Sequence, residues 1–165
     1  MYKRQVYTNG FLFQEKIGER KLNLDAAVSS KIDQSYFSKL KQGYDVENRN
    51  GKTISNTNVT FDPDPPKSYA FCSDTVYYPE IVPQIKKVTA LYHESTFLKS
   101  HEHLCEKTKH STAAQAAQIA NAANVELLIL GHYSGRYPSL ETFRTEAEMH
   151  FRNVALAEDG KIFEI

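Results

Sequence analysis

Three apolar segments, each followed directly by polar side chains, constrain the fold of this chain more than any other feature. The segments are SYAFCSD at 68–74, VTALYHE at 88–94 and ELLILGH at 126–132. Helical patterns separate them, the clearest being an alanine-rich run at 112–123. Alternating strands and helices predict a layered α/β core. Functional sites gather at the ends of such strands, and the sequence therefore predicts a site where these three segments end.

The segments before this core are of two kinds. Residues 6–14 are aromatic and β-branched and predict a further strand. Residues 15–66 are rich in Lys, Asn, Asp and Ser and show little apolar periodicity. We interpret them as an excursion from the core, with a short helix ending at Gly43 and a hairpin turn at 48–51.

The remaining segments give four shorter predictions. A proline-bounded helical segment is expected near 79–87 and a helix near 139–150. Residues 153–165 are expected to form two strands around an Asp-Gly turn. MYKRQ at 1–5 leads into a strand without a cap or turn and matches the translation of a common sequencing adapter. We therefore expect residues 1–5 to be a non-native leader.

Composition narrows the class of protein. The 165 residues are enough for one domain and too few for two. Acidic and basic residues number 20 each, so a nucleic-acid partner would need a local basic patch. The two cysteines form no disulfide framework. No apolar run approaches the roughly 20 residues that span a bilayer, and no secretory signal is visible. These features predict a cytoplasmic protein without a membrane partner.

Asp74 and His132 are the candidates for metal binding. A carboxylate directly after an apolar strand is either a turn or cap residue or a ligand whose oxygens bridge two divalent ions. A histidine in that place is either a hydrogen-bonded strand-end residue or a ligand through its neutral imidazole. Catalytic zinc usually has three protein ligands, so two candidates leave open whether the site is metallic. The HEH pair at 101–103 lies in a charged stretch, and we interpret it as solvated.

His110 precedes the alanine-rich helix, which Thr112 and Gln115 are expected to begin with a capping box. A histidine beside free N–H groups and the positive end of a helix dipole suits a phosphate and could act as a general acid. The alternative is a surface histidine flanked by lysines. Glu94 would orient a histidine or satisfy backbone N–H groups. Arg136 either binds a phosphate with both arms of its guanidinium or is a loop arginine.

Together these motifs resemble ribonuclease Z, the family of tRNA 3′-processing endoribonucleases with the metallo-β-lactamase fold. The resemblance extends over residues 6–165. The motifs that carry it are SDT at 73–75, HEST at 93–96, HST at 110–112, GHYSGRY at 131–137 and AEDG at 157–160. It implies an α/β (α+β) layered fold that is the C-terminal half of a metallo-β-lactamase αββα sandwich. Residues 15–66 would then be a protruding arm that binds tRNA.

The resemblance also implies a role for each candidate residue. Asp74 would bridge two zinc ions, and His132 would bind one of them. His110 would donate a proton to the leaving ribose 3′ oxygen, and Glu94 would orient or charge it. Four further side chains would hold the phosphate: Arg136, Ser134, Ser111 and Thr112.

The implied cofactor is zinc, two ions per complete active site, and the implied partners are precursor tRNA and, in the full-length protein, a second copy. The family's zinc motif His-x-His-x-Asp-His is absent from these 165 residues. The aspartate of that motif would activate the attacking water. We therefore expect the isolated chain to be a truncated, inactive fragment that exposes apolar surface.

Two alternative functions remain open. The first keeps the fold but changes the substrate to another phosphodiester or a sulfate ester, for which residues 15–66 would have no use. The second is a non-catalytic binding module in which Asp74, His110 and His132 are structural. Metal content separates the second alternative from an enzyme, because only the enzyme would hold zinc.

Overall fold

The structure of the chain, a computed structural model, describes residues 8–165 and divides them into two compact units. Residues 8–14 and 67–165 form the first, here called the sheet unit, and residues 15–66 form the second, here called the insert unit. The expected leader at 1–5 lies outside the described residues. In chain order the strands and α-helices are β1 (Phe11–Gln14), β2 (Lys21–Leu22), α1 (Leu24–Ser29), α2 (Phe37–Lys41), β3 (Val46–Glu47), β4 (Thr53–Ile54), β5 (Thr60–Phe61), β6 (Ser68–Cys72), β7 (Ala90–Glu94), α3 (Cys105–Thr108), α4 (Ala113–Ala123), β8 (Leu127–Gly131), α5 (Glu141–Glu148) and β9 (Val154–Leu156).

The sheet unit is built on a five-stranded sheet in the order β1-β6-β7-β8-β9. β1 runs antiparallel to β6, and the other neighbouring strands are parallel. Cys72 pairs with His93, and Glu94 pairs with Gly131. The carboxyl ends of β6, β7 and β8 therefore lie side by side, as the sequence predicted, and the loops that follow them start from one edge. The predicted layered α/β core is confirmed.

One face of this sheet is covered by helices. Alternate strand residues, among them Leu91, Leu128 and Leu130, form a single buried core with residues of α4 and α5. The helix α4 can lie close to the sheet because the side chains it buries are mostly methyl groups. Five of these alanines have no exposure: Ala113, Ala116, Ala117, Ala120 and Ala123.

The opposite face of the sheet carries aromatic side chains. Phe13 stacks on both Phe11 and Tyr69, and Phe71 stacks on Tyr92 with ring centroids 4.7 Å apart. Phe11 and Phe13, on the edge strand β1, are 56% and 58% exposed. This face is therefore both apolar and accessible at its β1 edge.

The insert unit has a small core of its own. The predicted short helix is confirmed as α2, after which Gly43 adopts φ 92°. The predicted hairpin turn is confirmed as well, because β3 pairs with β4 across it. The buried apolar residues come one or two at a time from short elements, which explains why the sequence shows little periodicity. They are Ala27, Ile32, Leu40, Val46 and Val59.

Two predictions about elements of the sheet unit are wrong. Only a 3₁₀ turn at Pro79–Ile81 forms within the segment 79–87. The end of the chain contributes β9, and residues 161–165 form no second strand. Instead Lys161 closes the turn, with its N–H donating to the Glu158 carbonyl at 3.0 Å and its ammonium to the Leu156 carbonyl at 3.0 Å. Among residues 8–165, no helix has the length and apolar character required to cross a bilayer.

Candidate metal and catalytic site

Three of the predicted site residues meet at the carboxyl edge of the sheet. Asp74 follows β6, His132 follows β8 directly, and His110 lies in the loop before α4. One potential ligand atom from each lies within 4.8 Å of the other two. The His132 Nε2 is 3.2 Å from the Asp74 Oδ1, and the two imidazole rings have centroids 5.0 Å apart. Residues that are 36 and 22 positions apart along the sequence thus share one small volume.

The backbone turns sharply at each of these residues. Asp74 and His132 adopt left-handed conformations with φ of 50° and 58°, and Lys109, directly before His110, has φ of 65°. Non-glycine residues are uncommon in this region, and such conformations cluster at functional sites. The turn at Asp74 is stabilised by a residue distant in sequence, since the Thr8 hydroxyl donates to the Asp74 carbonyl at 2.9 Å.

Glu94 is the residue on which the site is built. Its side chain has no exposure. Oε1 accepts hydrogen bonds from the Thr75 N–H at 3.0 Å and the His110 Nδ1–H at 2.7 Å. Oε2 accepts from the Thr96 N–H at 3.0 Å and the Thr96 hydroxyl at 2.8 Å. A buried carboxylate is tolerated only when such bonds replace its hydration, and here each oxygen has two donors.

The bond to Glu94 fixes the state of His110. Because a carboxylate only accepts, Nδ1 of His110 must carry a hydrogen. Nε2 is then the ring nitrogen that is available to a substrate. The His110 side chain is 22% exposed, so this nitrogen remains accessible to a substrate. A histidine held by a carboxylate in this way is suited to act as a general acid.

Two of the three clustered side chains, Asp74 and His132, fit a zinc ion. Two ligand atoms bound to one tetrahedral zinc lie about 3.3 Å apart, and the His132 Nε2 and Asp74 Oδ1 are 3.2 Å apart. One carboxylate oxygen and imidazole nitrogens are also a donor set that zinc prefers. Asp74 is exposed and His132 is 41% exposed, so an ion can enter.

Arg136 and Ser134 lie beside this cluster. The Arg136 Nε donates to the Ser134 Oγ at 3.1 Å, and the guanidinium carbon lies 5.0 Å from the centre of the Phe97 ring. The same Phe97 ring meets His110 edge to face at 6.3 Å. The guanidinium is therefore an exposed cation in the neighbourhood of His110, where the sequence predicted a phosphate-binding group.

Ser111 and Thr112, for which phosphate binding was predicted, have side chains that are bonded to the protein itself. Both have no exposure. The Ser111 hydroxyl donates to the Thr75 carbonyl at 2.6 Å, and Thr112 forms the predicted capping box with Gln115.

The N–H groups of the first turn of α4 are also occupied by the protein itself. The Ala113 N–H donates to the Phe97 carbonyl and the Ala114 N–H to the Glu146 carboxylate, each at 3.0 Å. Gln115 and Ala116 donate to the Thr112 hydroxyl and carbonyl. An anion at this helix end would have to displace one of these acceptors, so the helix terminus is not a ready-made phosphate site.

Sequence reasoning missed two residues and misjudged a third. Thr96 stands in the HEST motif but was given no role, although it contacts both Glu94 and His132. No sequence motif indicates a role for Glu146, because its contact with α4 depends on how α4 and α5 pack together. In the HEH pair only His103 is exposed, whereas the His101 Nδ1 lies 3.0 Å from the Tyr137 hydroxyl.

A cavity of about 370 Å³ opens beside His110, with Tyr77 and Lys109 in its wall. This volume is within the range of small-molecule sites. Cys105 also lines the cavity, but burial raises the pKa of its thiol to about 11. The thiol is therefore protonated near neutral pH and does not serve as a nucleophile.

No family model matches the chain. The chain is 39% identical over 150 residues to "Ribonuclease Z" of Porphyromonas gingivalis and 41% identical over 151 residues to "Ribonuclease Z" of Bacteroides fragilis. The matches cover 91% and 92% of this chain, and 49% and 50% of the two relatives. The chain thus spans about half the length of the curated relatives it matches.

Solved structures agree with the fold. A long-form RNase Z from yeast superposes on this chain with a TM-score of 0.53 at 26% identity. The match includes 59% of this chain and 13% of the yeast protein. The metallo-β-lactamase fold protein YhfI from Bacillus subtilis superposes with a TM-score of 0.56 at 22% identity. That match includes 59% of this chain and 40% of YhfI. The sequence resemblance is thereby confirmed: this chain is a homologue of ribonuclease Z that has part of the metallo-β-lactamase fold.

Proposed function

We propose that this chain is part of a zinc-dependent endoribonuclease that removes the 3′ trailer of precursor tRNA by phosphodiester hydrolysis. The observation that carries the proposal is the 39% identity to ribonuclease Z over 91% of the chain. The cluster of Asp74, His110 and His132 beside a buried carboxylate supports it, because its side chains include a zinc-compatible donor set and a histidine suited to general acid catalysis.

Asp74 and His132 are the proposed zinc ligands of this chain. When bound, zinc lowers the pKa of a coordinated water and polarises the phosphate. Asp74, with its second oxygen 3.1 Å from the Ser73 hydroxyl, offers two oxygens and so could bridge two ions. Arg136 and Ser134 are the proposed phosphate-binding residues, since a guanidinium beside the reacting phosphorus neutralises the charge that develops there.

His110 is the proposed proton donor. As the bond between phosphorus and the ribose 3′ oxygen breaks, Nε2 of His110 gives its proton to that oxygen, which leaves a 3′-OH on the tRNA. Glu94 orients the ring until then through its 2.7 Å bond to Nδ1. The cavity beside His110 provides room for the nucleoside that carries the leaving oxygen.

The insert unit is the proposed tRNA-binding arm. Its acidic and basic residues are equal in number, so binding to the tRNA backbone requires a local group of cations. Lys39 and Lys41, in the last turn of α2, are both exposed and are the proposed contacts.

We also propose that the chain alone does not cut precursor tRNA. Within residues 8–165 one cluster brings three potential ligands together, whereas a two-zinc site needs further ligands and an acid that activates water. Those groups would come from the remainder of a longer protein, for which we propose a cytoplasmic location and a homodimer.

A chimera tests this function. The chain replaces the matching 150-residue part of the Porphyromonas gingivalis relative, and the product is incubated with zinc and a precursor tRNA that carries a 3′ trailer. We expect cleavage that leaves a 3′-OH. His110→Ala should lower the rate by roughly 10²–10⁴, the range of general acid–base catalysis, with zinc content unchanged. His103→Ala, at an exposed histidine outside the site, is the matched control and should have no effect.

The other outcomes identify the alternatives. A chimera that holds zinc and cleaves another phosphodiester or a sulfate ester, but leaves precursor tRNA intact, would establish the different substrate. A folded chimera without zinc would support the binding module. Loss of zinc in the His110→Ala variant would show that His110 is a ligand rather than the proton donor.

A further inference from the structure

Thr96 lies between the buried carboxylate and the second histidine of the site. Its hydroxyl oxygen is 2.8 Å from the Glu94 Oε2 and 2.8 Å from the His132 Nδ1. The residue is held on both sides by its backbone, since its N–H donates to the Glu94 Oε2 and its carbonyl accepts from the Ser134 N–H at 3.1 Å. With 7% exposure it is shielded from solvent.

The direction of these bonds follows from the number of hydrogens. A hydroxyl has one hydrogen, and a carboxylate can only accept. The Thr96 hydroxyl therefore donates to Glu94, and its oxygen must accept from the other neighbour. That neighbour is His132, whose Nδ1 must then carry a hydrogen. In the neutral ring the lone pair is left on Nε2.

This tautomer directs the lone pair of His132 at Asp74. The His132 Nε2 and the Asp74 Oδ1, both acceptors in this state, face each other at 3.2 Å. Two lone pairs at this distance repel unless a cation lies between them, so the arrangement is suited to a metal ion. Glu94 thus orients both histidines: His110 directly through Oε1, and His132 through Thr96.

We propose that Thr96 is a positioning residue that fixes the tautomer and orientation of His132, so that its Nε2 is presented as a ligand beside Asp74. The role of that ligand rests on the proposed function, whereas the tautomer itself does not. Thr96→Val removes the hydroxyl while keeping the branched shape of the side chain. Thr96→Ser keeps the hydroxyl and removes a methyl group, which makes it the matched control.

The tautomer is measured in the metal-free chain labelled with ¹⁵N-histidine, by correlating the ring nitrogens with the ring hydrogens about two pH units above the ordinary histidine pKa. In the unsubstituted protein we expect His132 to carry its hydrogen on Nδ1, and the same in Thr96→Ser. In Thr96→Val we expect a shift toward the Nε2–H form. Zinc titration of the same samples should show affinity about 10- to 100-fold weaker for Thr96→Val, as is typical for loss of a ligand's hydrogen-bond partner.

Two results would overturn this role. One is a hydrogen on Nε2 of His132 in the unsubstituted chain, which decides the matter even if Thr96→Val does not fold. Another is a folded Thr96→Val variant with an unchanged tautomer and unchanged zinc affinity. The outcome is independent of the tRNA proposal, since an inactive chimera with the expected tautomers would refute the proposed function and leave the role of Thr96 intact.

Discussion

Glu94 is charged and fully buried, and the site depends on how the protein compensates that burial. Four hydrogen bonds reach its two oxygens, and they come from Thr75, Thr96 and His110. His110 is itself a residue of the site, Thr75 directly follows Asp74, and Thr96 contacts His132. The bonds that make the burial of the charge tolerable are therefore the same bonds that position the side chains of the candidate site.

Gly131 is the residue at which a small change should disturb this arrangement. A Cβ atom at this position would lie 2.6 Å from two carbons of the Tyr92 ring, closer than any ordinary contact. Gly131 pairs with Glu94 and directly precedes His132. We expect Gly131→Ala to lower the free energy of unfolding by about 1–3 kcal/mol, the usual cost of overpacking, as measured by denaturant titration.

A matched glycine is available three residues from His132. A Cβ at Gly135 would meet no atom within 4 Å, so Gly135→Ala should leave stability nearly unchanged. The double variant Gly131→Ala/Tyr92→Ala should be insensitive to the added methyl group. If Gly131→Ala is as stable as Gly135→Ala, the Tyr92 ring moves freely and does not constrain this strand.

The sequence was informative about single residues where the signal was local. Asp74, Glu94 and His132 could be placed together because each lies at or just beyond the carboxyl end of a parallel strand. The capping box of Thr112 and Gln115 is a pattern of two positions. The occupation of the first-turn N–H groups of α4 could not be predicted. It depends on the Phe97 carbonyl and on a carboxylate from another helix, neither of which is encoded near the cap.

At the scale of elements, the position of α4 follows from contacts at its beginning. Glu146 of α5 accepts hydrogen bonds from the Ala114 N–H at 3.0 Å and from the Lys99 N–H at 2.7 Å. It therefore joins the first turn of α4 to the segment Lys99–Leu104 and to its own helix. His110 lies between that segment and α4, so its position depends on this junction.

Loss of the Glu146 carboxylate should loosen the junction. Glu146→Ala leaves the part-buried Ala114 N–H and the exposed Lys99 N–H without their acceptor. Water can replace the acceptor of the exposed group, so the cost comes from the Ala114 N–H, and an unmade buried bond costs about 1–3 kcal/mol. We expect a loss of stability in that range and faster amide hydrogen exchange at Ala114. Glu148→Ala, an exposed residue of the same helix, is the control and should change neither. Equal effects of the two substitutions would show that α5 contributes helix propensity rather than an acceptor.

The order of elements was predictable, and several of their limits were not. Strands β6, β7 and β8 and helix α4 have strong apolar patterns and form where expected. The second strand predicted after the Asp-Gly turn fails because Lys161 hydrogen-bonds back to the turn and to β9. A turn signal alone does not provide a strand with a partner.

At the scale of the whole molecule, His93 makes stability depend on pH. It is 2% exposed, its Nδ1 lies 2.7 Å from the Glu94 carbonyl, and burial lowers its pKa. Since the unfolded chain binds a proton more readily than the folded one, stability is fully present above the ordinary histidine pKa of about 6.5 and falls as the pH drops below it. The slope from this residue reaches at most about 1.4 kcal/mol per pH unit.

Denaturant titrations across this range test the dependence. His93→Asn places an amide N–H near the position of Nδ1 without a titrating ring, so its stability should fall less steeply with decreasing pH. His150→Asn, at an exposed histidine of the sheet unit, should keep the slope of the unsubstituted chain. An unchanged slope in His93→Asn would mean that other groups, and not this buried ring, control the acid limit of stability.

The aromatic face of the sheet makes a second prediction for the molecule as a whole. Phe11 and Phe13 are more than half exposed, and behind them the stacked rings of Tyr69, Phe71 and Tyr92 continue the apolar surface. Contiguous apolar surface of this kind favours association. We expect the isolated chain to bind a hydrophobic dye and to sediment as a concentration-dependent mixture. Phe11→Thr/Phe13→Thr should reduce both effects, because threonine keeps the strand while removing the rings.

The control for this face lies in the insert unit. Leu24 and Val28, on α1, are 55% and 60% exposed, about as much as the two phenylalanines. They are not part of the aromatic stack, so Leu24→Thr/Val28→Thr should leave dye binding and sedimentation close to those of the unsubstituted chain. If the Leu24→Thr/Val28→Thr substitutions have a larger effect than the Phe11→Thr/Phe13→Thr substitutions, the surface that causes association lies on the insert unit. A chain that stays monomeric and binds no dye at high concentration would show that the aromatic rings cover one another well enough to need no partner.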